Sequence, residues 1–279
     1  MPQNKFYVSS FDITVELTVT GTAAFYEHLR THQFWQEFVP AFSPTKTGRV
    51  VTDWSITESD SCTYDISTKH IQTNQAHIKQ AIVILESILE RYRQESGRYT
   101  FHGSAIAHGS RAVGLIGNLS GIGKSTMGAY AAQHGWQWLA DEKFTVSQGC
   151  IVGSTNGILN DNKTRSAALG HSPTFDLNAV YDLAMLCSPI ITTEEQAVQH
   201  EWSHDKKLWI YNDEISRDIR QVNGILSGFS ESLQSFDTPE ITNQRNKAVA
   251  QLANDVPGAF IRGHQSAVLA AIEDVLAIQ

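Results

Sequence analysis

The sequence predicts an α/β protein in which a small β-rich α+β domain precedes a larger core of strands and helices. Two stretches carry this prediction. Residues 11–19 alternate strictly between apolar and polar side chains, which is typical of a half-buried strand. Residues 111–146 read as an apolar strand, a glycine-rich turn, a helix and further strands. We place the boundary between the domains near residue 72, which gives domains 1–72 and 73–279.

The first domain is predicted to be a small sheet. Further strands are expected at residues 49–57 and 61–67, because the turn-prone sequence Glu58-Ser59-Asp60 separates two apolar stretches. Residues 22–42 predict a short helix and an irregular apolar segment. The aromatic residues of this domain are interpreted as core.

The clearest helical pattern in the chain runs from residue 73 or 74 to about residue 94. Either Thr73 or Asn74 can cap it, and Gly97 closes it. Its apolar residues recur at steps of three and four, so they form one stripe. The charged residues outside this stripe are Glu86, Glu90, Arg91 and Arg93. These four are predicted to face solvent.

The second domain is predicted to alternate strands with helices. Strands are expected at residues 99–107, 112–117, 136–140, 143–146, 150–153, 180–186 and 206–211. Helices are expected at residues 127–133, 192–201, 249–254 and 264–278. Residues 143–153 predict a hairpin, and the polar segment 154–175 predicts a loop.

Composition excludes several classes of partner. The chain has 279 residues and a formal net charge of −8, which argues against a broad nucleic-acid or anionic-membrane surface. Its three cysteines lack paired spacing and are interpreted as reduced thiols. Residues 1–20 do not resemble a signal peptide, and no apolar run is long enough to span a bilayer. We therefore expect a cytoplasmic protein without nucleic-acid or membrane partners.

The glycine-rich turn has the layout of a phosphate-binding loop. Residues 118–126 read Asn-Leu-Ser-Gly-Ile-Gly-Lys-Ser-Thr, between an apolar strand and a helix. Backbone N–H groups of such a turn and the positive end of the helix dipole favour an anion. The residues predicted to bind the phosphates are Ser120, Gly121, Ile122, Gly123, Lys124, Ser125 and Thr126.

Individual side chains of this loop have separate predicted roles. Lys124 adds a full positive charge, and the Ser125 hydroxyl can ligate Mg²⁺. Asn118 stands where the strict motif has glycine, but Asn tolerates a positive φ, so the turn is expected to survive. We therefore expect a bound nucleotide.

Asp141 and Glu142 follow the strand after the loop helix. Ligands of α/β sheets bind at the carboxyl ends of strands, so Asp141 is predicted to hold the metal and to accept a proton. Glu142 is a second candidate ligand, although neighbouring side chains of a regular strand face opposite ways. The alternative is a solvated pair of turn carboxylates.

Other candidates lie elsewhere in the chain. His102 precedes the loop strand and is expected near Asp141, where it can orient or activate the site; the alternative is a structural histidine. Lys206 and Lys207 begin a predicted strand and are candidates for neutralising a phosphate or an acidic substrate, against the alternative of a solvated surface. The remaining candidates of this kind are Arg165 and Arg262.

The sequence resembles the HPr kinase family. The resemblance is carried by Phe101-His102-Gly103, by Ser-Gly-Ile-Gly-Lys-Ser at residues 120–125, and by residues 134–142, which close on Asp141-Glu142. It covers roughly residues 75–153 and extends to related kinases of peptide-modification systems such as lasso peptides. The loop is also similar to that of phosphoenolpyruvate carboxykinase, whose fold HPr kinase shares.

The resemblance implies a mixed-sheet P-loop core, ATP and Mg²⁺ as cofactors, and specific roles for four residues. Lys124 would contact the phosphates, Ser125 and Asp141 would serve the metal, and Asp141 would act as a base assisted by His102. This sequence departs from the family at Asn118, which replaces a glycine, and at Glu142, which replaces an aspartate. It also lacks a convincing copy of the carboxy-terminal signature that engages HPr.

Two functions follow as expectations. The first is a kinase that transfers a phosphoryl group from ATP to a hydroxyl of a peptide, a protein or a small metabolite. The second is a nucleotide-binding regulatory module without transfer activity. A carboxykinase is disfavoured, because those enzymes are much longer. Members of the family are often oligomeric, so a homo-oligomer is a further expectation by analogy.

Overall fold

The structure, a computed structural model, describes residues 3–117, 121–155, 173–176, 179–220 and 235–277. The chain divides into two compact units, residues 1–96 with 216–242 and residues 97–215 with 243–279. Each unit contains one mixed sheet and helices, so the predicted α/β class is confirmed.

The first unit is built on a six-stranded sheet. Its strands are β1 (Gln3–Ser10), β2 (Ile13–Thr20), β3 (Phe42–Ser43), β4 (Arg49–Glu58), β5 (Thr63–Asp65) and β6 (His70–Thr73), in the order β3-β1-β2-β4-β6-β5. Strands β1 and β2 form an antiparallel hairpin, whereas β2, β4 and β6 are parallel. The helices are α1 (Ala23–Thr31), α2 (Phe34–Phe38) and α3 (Ile78–Glu95).

Helix α3 belongs to the first unit, because it packs against β2, β6 and α2. The compact units therefore divide after Ser96, whereas the sequence placed the boundary near residue 72. The Asn74 side chain accepts from the N–H of Ala76 and caps a short 3-10 turn that leads into α3. This is one of the two caps that the sequence predicted.

The prediction that the charged residues of α3 face solvent is wrong for Glu86, Glu90 and Arg93. All three side chains are fully buried. Arg93 contacts Glu86 at 2.5 Å and Glu90 at 2.8 Å, and its Nη1 donates to the Ser10 hydroxyl at 2.9 Å. Burial alone lowers the pKa of the Arg93 guanidinium, but the two carboxylates outweigh burial and the pKa lies above its ordinary value.

The second unit is built on an eight-stranded sheet. Its strands are β7 (Tyr99–His108), β8 (Arg111–Ile116), β9 (Gln137–Ala140), β10 (Lys143–Ser147), β11 (Cys150–Ser154), β12 (Tyr181–Ile191), β13 (Val198–Glu201) and β14 (Gly258–Gly263). The order is β11-β10-β7-β8-β12-β14-β13, and β9 also pairs with β7. Strands β8, β12 and β14 are parallel.

Helices cover both faces of the second sheet. They are α4 (Lys124–Gln133), α5 (His204–Ser216), α6 (Pro239–Asp255) and α7 (Gln265–Leu276). One apolar cluster joins Phe101 and Phe144 of the sheet to Tyr211 of α5, and the other joins Val113 to Met127 of α4 and Val268 of α7. The apolar strands therefore present both faces to a core, as expected for a covered sheet.

Two predicted elements of the second unit are wrong. Residues 192–201 are not a helix, because β13 pairs antiparallel with β14 and fixes residues 198–201 as an exposed edge strand. Residues 206–211 are not a strand, because they lie in α5. The predicted hairpin is confirmed by β10 and β11, whereas most of the predicted loop 154–175 lies outside the described residues.

The cysteines Cys62, Cys150 and Cys187 are free thiols, as predicted. Burial raises the pKa of Cys187 to about 12. In the part of the chain that the structure describes, no helix has the length and apolar character needed to cross a membrane.

Candidate phosphate-binding site

The glycine-rich loop connects β8 to α4. Gly123 precedes α4 with a φ of 114°, in the left-handed region that favours glycine, and a Cβ atom there would overlap the Ile191 side chain. The N–H of Ile191 donates to the Ile122 carbonyl at 3.1 Å, which ties the loop to the end of β12. Asn118 and Ser120 lie outside the described residues, so their predicted roles stay predictions.

The candidate phosphate-binding side chains open helix α4. Lys124, Ser125 and Thr126 form its first turn and are half-buried. The Nζ atom of Lys124 donates to the Gly117 carbonyl at 2.9 Å, so the ammonium group lies against the beginning of the loop. The helix has ten residues, and its first N–H groups have no partner within the helix. The Lys124 ammonium group and these N–H groups together concentrate positive charge at the beginning of α4.

The sheet brings Asp141 and Glu142 beside this loop. Strands β9 and β10 both pair with β7, and Asp141 and Glu142 are the two residues that connect them. The N–H of Gly103 donates to the Glu142 carbonyl at 2.9 Å, and Gly103 lies opposite Ile116, the last residue of β8. The carboxylate pair and the start of the loop are therefore held at the same edge of adjacent strands.

His102 lies beside the acidic pair. It was predicted to lie near Asp141, and it contacts the neighbouring residue, Glu142. Its Nε2 atom lies 3.0 Å from Oε1 of Glu142, and both side chains are partly buried. Asp141 is only 6% exposed. The structure thus pairs the histidine with Glu142, and Asp141 lies in the most enclosed position of the three.

Lys143 is a charged residue of this region that is not among the predicted site residues. Its side chain is fully buried, and its backbone lies directly opposite His102 in the pairing of β10 with β7. Buried lysines are rare and need anionic or polar partners. The sequence signal for this buried residue is a lysine at the start of an apolar strand, immediately after two acidic residues.

The predicted substrate residues do not form one cluster. Lys206 and Lys207 lie in α5, not in a strand, and they face different surroundings. Lys206 Nζ lies 4.4 Å from the centre of the Phe260 ring, whereas Lys207 Nζ donates to the Val256 carbonyl at 3.4 Å. Arg262 forms an exposed ion pair of 2.7 Å with Glu194. Arg165 lies outside the described residues.

A cavity of about 250 Å³ adjoins the glycine-rich loop. The loop and the sheet contribute Gly117, Ile122, Ser188, Ile190 and Phe260. Helix α5 contributes Lys206, Trp209, Ile210 and Glu214. Its walls are mainly apolar, and its position at the ends of β8, β12 and β14 is where ligands of α/β sheets bind.

The donor set beside the loop suits a magnesium ion. Among the described residues, no group of three or more His, Cys, Asp or Glu side chains is placed to hold a metal ion. Magnesium is usually bound by one or two carboxylates together with substrate phosphates and water. Asp141, Glu142 and the Ser125 hydroxyl supply oxygen donors of that kind, so the residues present fit the predicted ion.

Comparison with protein-family models and with curated proteins gives no significant match.

Proposed function

We propose that the protein is a kinase with an HPr kinase-like P-loop core, which transfers a phosphoryl group from ATP to a hydroxyl group. The observation that supports this proposal is the strand pairing that holds the backbone of Glu142 beside the end of β8, where the glycine-rich loop begins. Phosphoryl transfer needs positioning and charge neutralisation more than covalent chemistry, and these are the properties that the site combines.

In this proposal, the loop and α4 bind the phosphates. Backbone N–H groups at the start of α4 and the Lys124 ammonium group would contact the phosphate oxygens. Lys124 would leave the Gly117 carbonyl, which it contacts at 2.9 Å, and move to a phosphate. Mg²⁺, when bound, would neutralise charge on the phosphates, with Ser125, Asp141 and Glu142 as its protein ligands.

Asp141 is the proposed base for the acceptor hydroxyl. Its burial limits the water around the carboxylate, so its interactions with nearby charges are strong. His102 contacts Glu142 and would position this carboxylate within the acidic pair. The acceptor is a hydroxyl of a peptide, a protein or a small molecule, and the role of the first unit is proposed to be acceptor or partner binding.

A regulatory nucleotide-binding module is the second candidate. The substitution of aspartate by Glu142 favours it, because Glu142 is engaged with His102 through its side chain. Asn118 in place of the first glycine favours it as well. Such a module would bind ATP and move no phosphate.

Incubation with γ-labelled ATP and a panel of hydroxyl-bearing peptides and metabolites separates the two functions. Asp141→Asn should slow transfer by about 10²- to 10³-fold and leave ATP bound. Asp274→Asn, an exposed carboxylate on α7, is the matched control and should transfer at the wild-type rate. Nucleotide binding without any labelled acceptor, unchanged by Asp141→Asn, would reject the kinase and leave the regulatory module.

A further inference from the structure

One face of helix α5 lines the cavity beside the glycine-rich loop. Lys206, Trp209, Ile210 and Glu214 follow one another at helical spacing, and all four line the cavity. Lys207 and Tyr211 lie on the adjoining face, where both contact the Val256 carbonyl at 3.4 Å. The face towards the cavity is therefore distinct from the face that anchors the helix.

The composition of the cavity suits a flat heteroaromatic group. Ile122, Ile190 and Phe260 make its sheet side apolar. On the helix side, the Trp209 indole is 65% exposed, although tryptophan is usually largely covered. Glu214 is 2% exposed and is the carboxylate among the lining residues. An aromatic face, apolar walls and a buried carboxylate are elements that recognise a base by stacking and hydrogen bonding.

The position of the cavity favours the nucleotide as its occupant over the acceptor. It shares Gly117 and Ile122 with the glycine-rich loop. Strand β8, which leads into the loop, has β7 on one side and β12 followed by β14 on the other. Asp141 lies on the β7 side, whereas the cavity lies over β12 and β14. A triphosphate whose reacting end meets Asp141 would therefore direct its nucleoside end into the cavity.

We propose that this cavity binds the base of the nucleotide, a purine that carries an exocyclic amino group. Trp209 stacks on the base, and Glu214 accepts a hydrogen bond from the amino group. This assignment rests on the proposed function, since it takes the glycine-rich loop as the phosphate site. The acceptor molecule is the competing occupant, and the experiment below distinguishes the two.

The test compares three ligands on the full chain: ATP, ITP and inorganic tripolyphosphate. ITP has a keto oxygen in place of the amino group, and tripolyphosphate lacks the nucleoside. Base–aromatic stacking is worth enough that Trp209→Ala should weaken ATP binding by about 5- to 100-fold while tripolyphosphate affinity stays unchanged. Trp209→Phe should restore most of the ATP affinity. Glu214→Gln should reduce the preference for ATP over ITP.

The ratio of ATP to tripolyphosphate affinity within each variant separates a local effect from misfolding, because misfolding weakens both ligands. Lys207→Met, on the other face of α5, is the control and should leave that ratio unchanged. An unchanged ratio in Trp209→Ala would overturn the assignment, as would a raised KM for the acceptor with ATP affinity unaltered. If the wild-type chain binds neither ATP nor tripolyphosphate, the proposed function itself fails, and this assignment fails with it.

Discussion

The imidazole Nε2 atom of His102 and the carboxylate Oε1 atom of Glu142 lie 3.0 Å apart. This contact joins β7 to the two-residue connection between β9 and β10, beside the end of β8. It connects His102, on the strand before β8, with Glu142, the second residue of the acidic pair. In the proposed mechanism it leaves the buried Asp141 as the base, and His102 positions Glu142, a proposed ligand of Mg²⁺.

The first prediction concerns this pair. Glu142→Gln or His102→Asn should slow phosphoryl transfer by about 10- to 100-fold, as is typical when a supporting partner of a site is removed. The double variant should be no slower than Glu142→Gln alone, because His102 acts through its contact with Glu142. Single-turnover rates measure this, and losses that simply multiply would contradict the pairing.

The second prediction separates two lysines. Lys124→Met should weaken ATP binding by about 10- to 100-fold, since a hydrogen bond to a charged group contributes roughly 1.5–3 kcal/mol. Lys207→Met removes the same charge from the chain. The Lys207 side chain contacts the Val256 carbonyl between α6 and β14, so this variant should bind ATP normally. Calorimetric titration measures both. Equal losses in the two variants would indicate only a general charge effect.

The third prediction concerns Gly128 in α4. Alanine is favoured over glycine in a helix by about 1 kcal/mol, so propensity alone predicts that Gly128→Ala stabilises the protein. The structure predicts the opposite sign, because a Cβ atom there would overlap the Trp138 indole. Overpacking of this kind costs about 1–3 kcal/mol. Denaturant unfolding gives the sign.

Trp138→Phe provides the control for that clash. The smaller ring should reduce the cost of Gly128→Ala, although it also removes the indole N–H that donates to Ser104 at 2.9 Å. The comparison is therefore made as a double-mutant cycle. A cost that is the same in both backgrounds would show that the indole does not cause it.

The fourth prediction concerns the buried ion cluster of the first unit. Arg93→Met should destabilise the protein by about 3–5 kcal/mol, because Glu86 and Glu90 would stay buried without their cation. Arg91→Met removes an arginine two residues away, whose pair with Glu95 is partly exposed. That variant should change stability by less than about 1 kcal/mol. Urea unfolding curves measure the difference, and similar shifts for both arginines would contradict the prediction.

Local patterns in the sequence were sufficient for much of the second sheet. Strands β7 to β11 and the helix that follows the glycine-rich turn were predicted, because their periodicity and turn residues are local signals. Residues 206–211 are too short a stretch to show the helical periodicity of α5. The longer stretch contains Leu208, Tyr211 and Ile215 at steps of three and four, and these residues pack into the core.

Other features required the folded chain. Strand β13 has four exposed residues and no apolar periodicity, and it is a strand because its backbone pairs with β14. The charges of α3 were predicted to be solvated, although Glu86, Glu90 and Arg93 recur at helical spacing and share a face. Their burial depends on the ion pairs that Arg93 forms with the two glutamates. It also depends on the hydrogen bond from Arg93 to Ser10, which is 83 residues away in the chain.

The sequence by itself determined the α/β class, the strand–turn–helix around Lys124 and the candidate carboxylates Asp141 and Glu142, because each depends on neighbouring residues. Only the tertiary structure decided that His102 contacts Glu142 and that Lys143 is buried opposite His102. It also decided that Trp209 of α5 lines a cavity beside the loop. These relationships join segments far apart in the chain. They are set by strand order, register and helix packing, which local patterns do not specify.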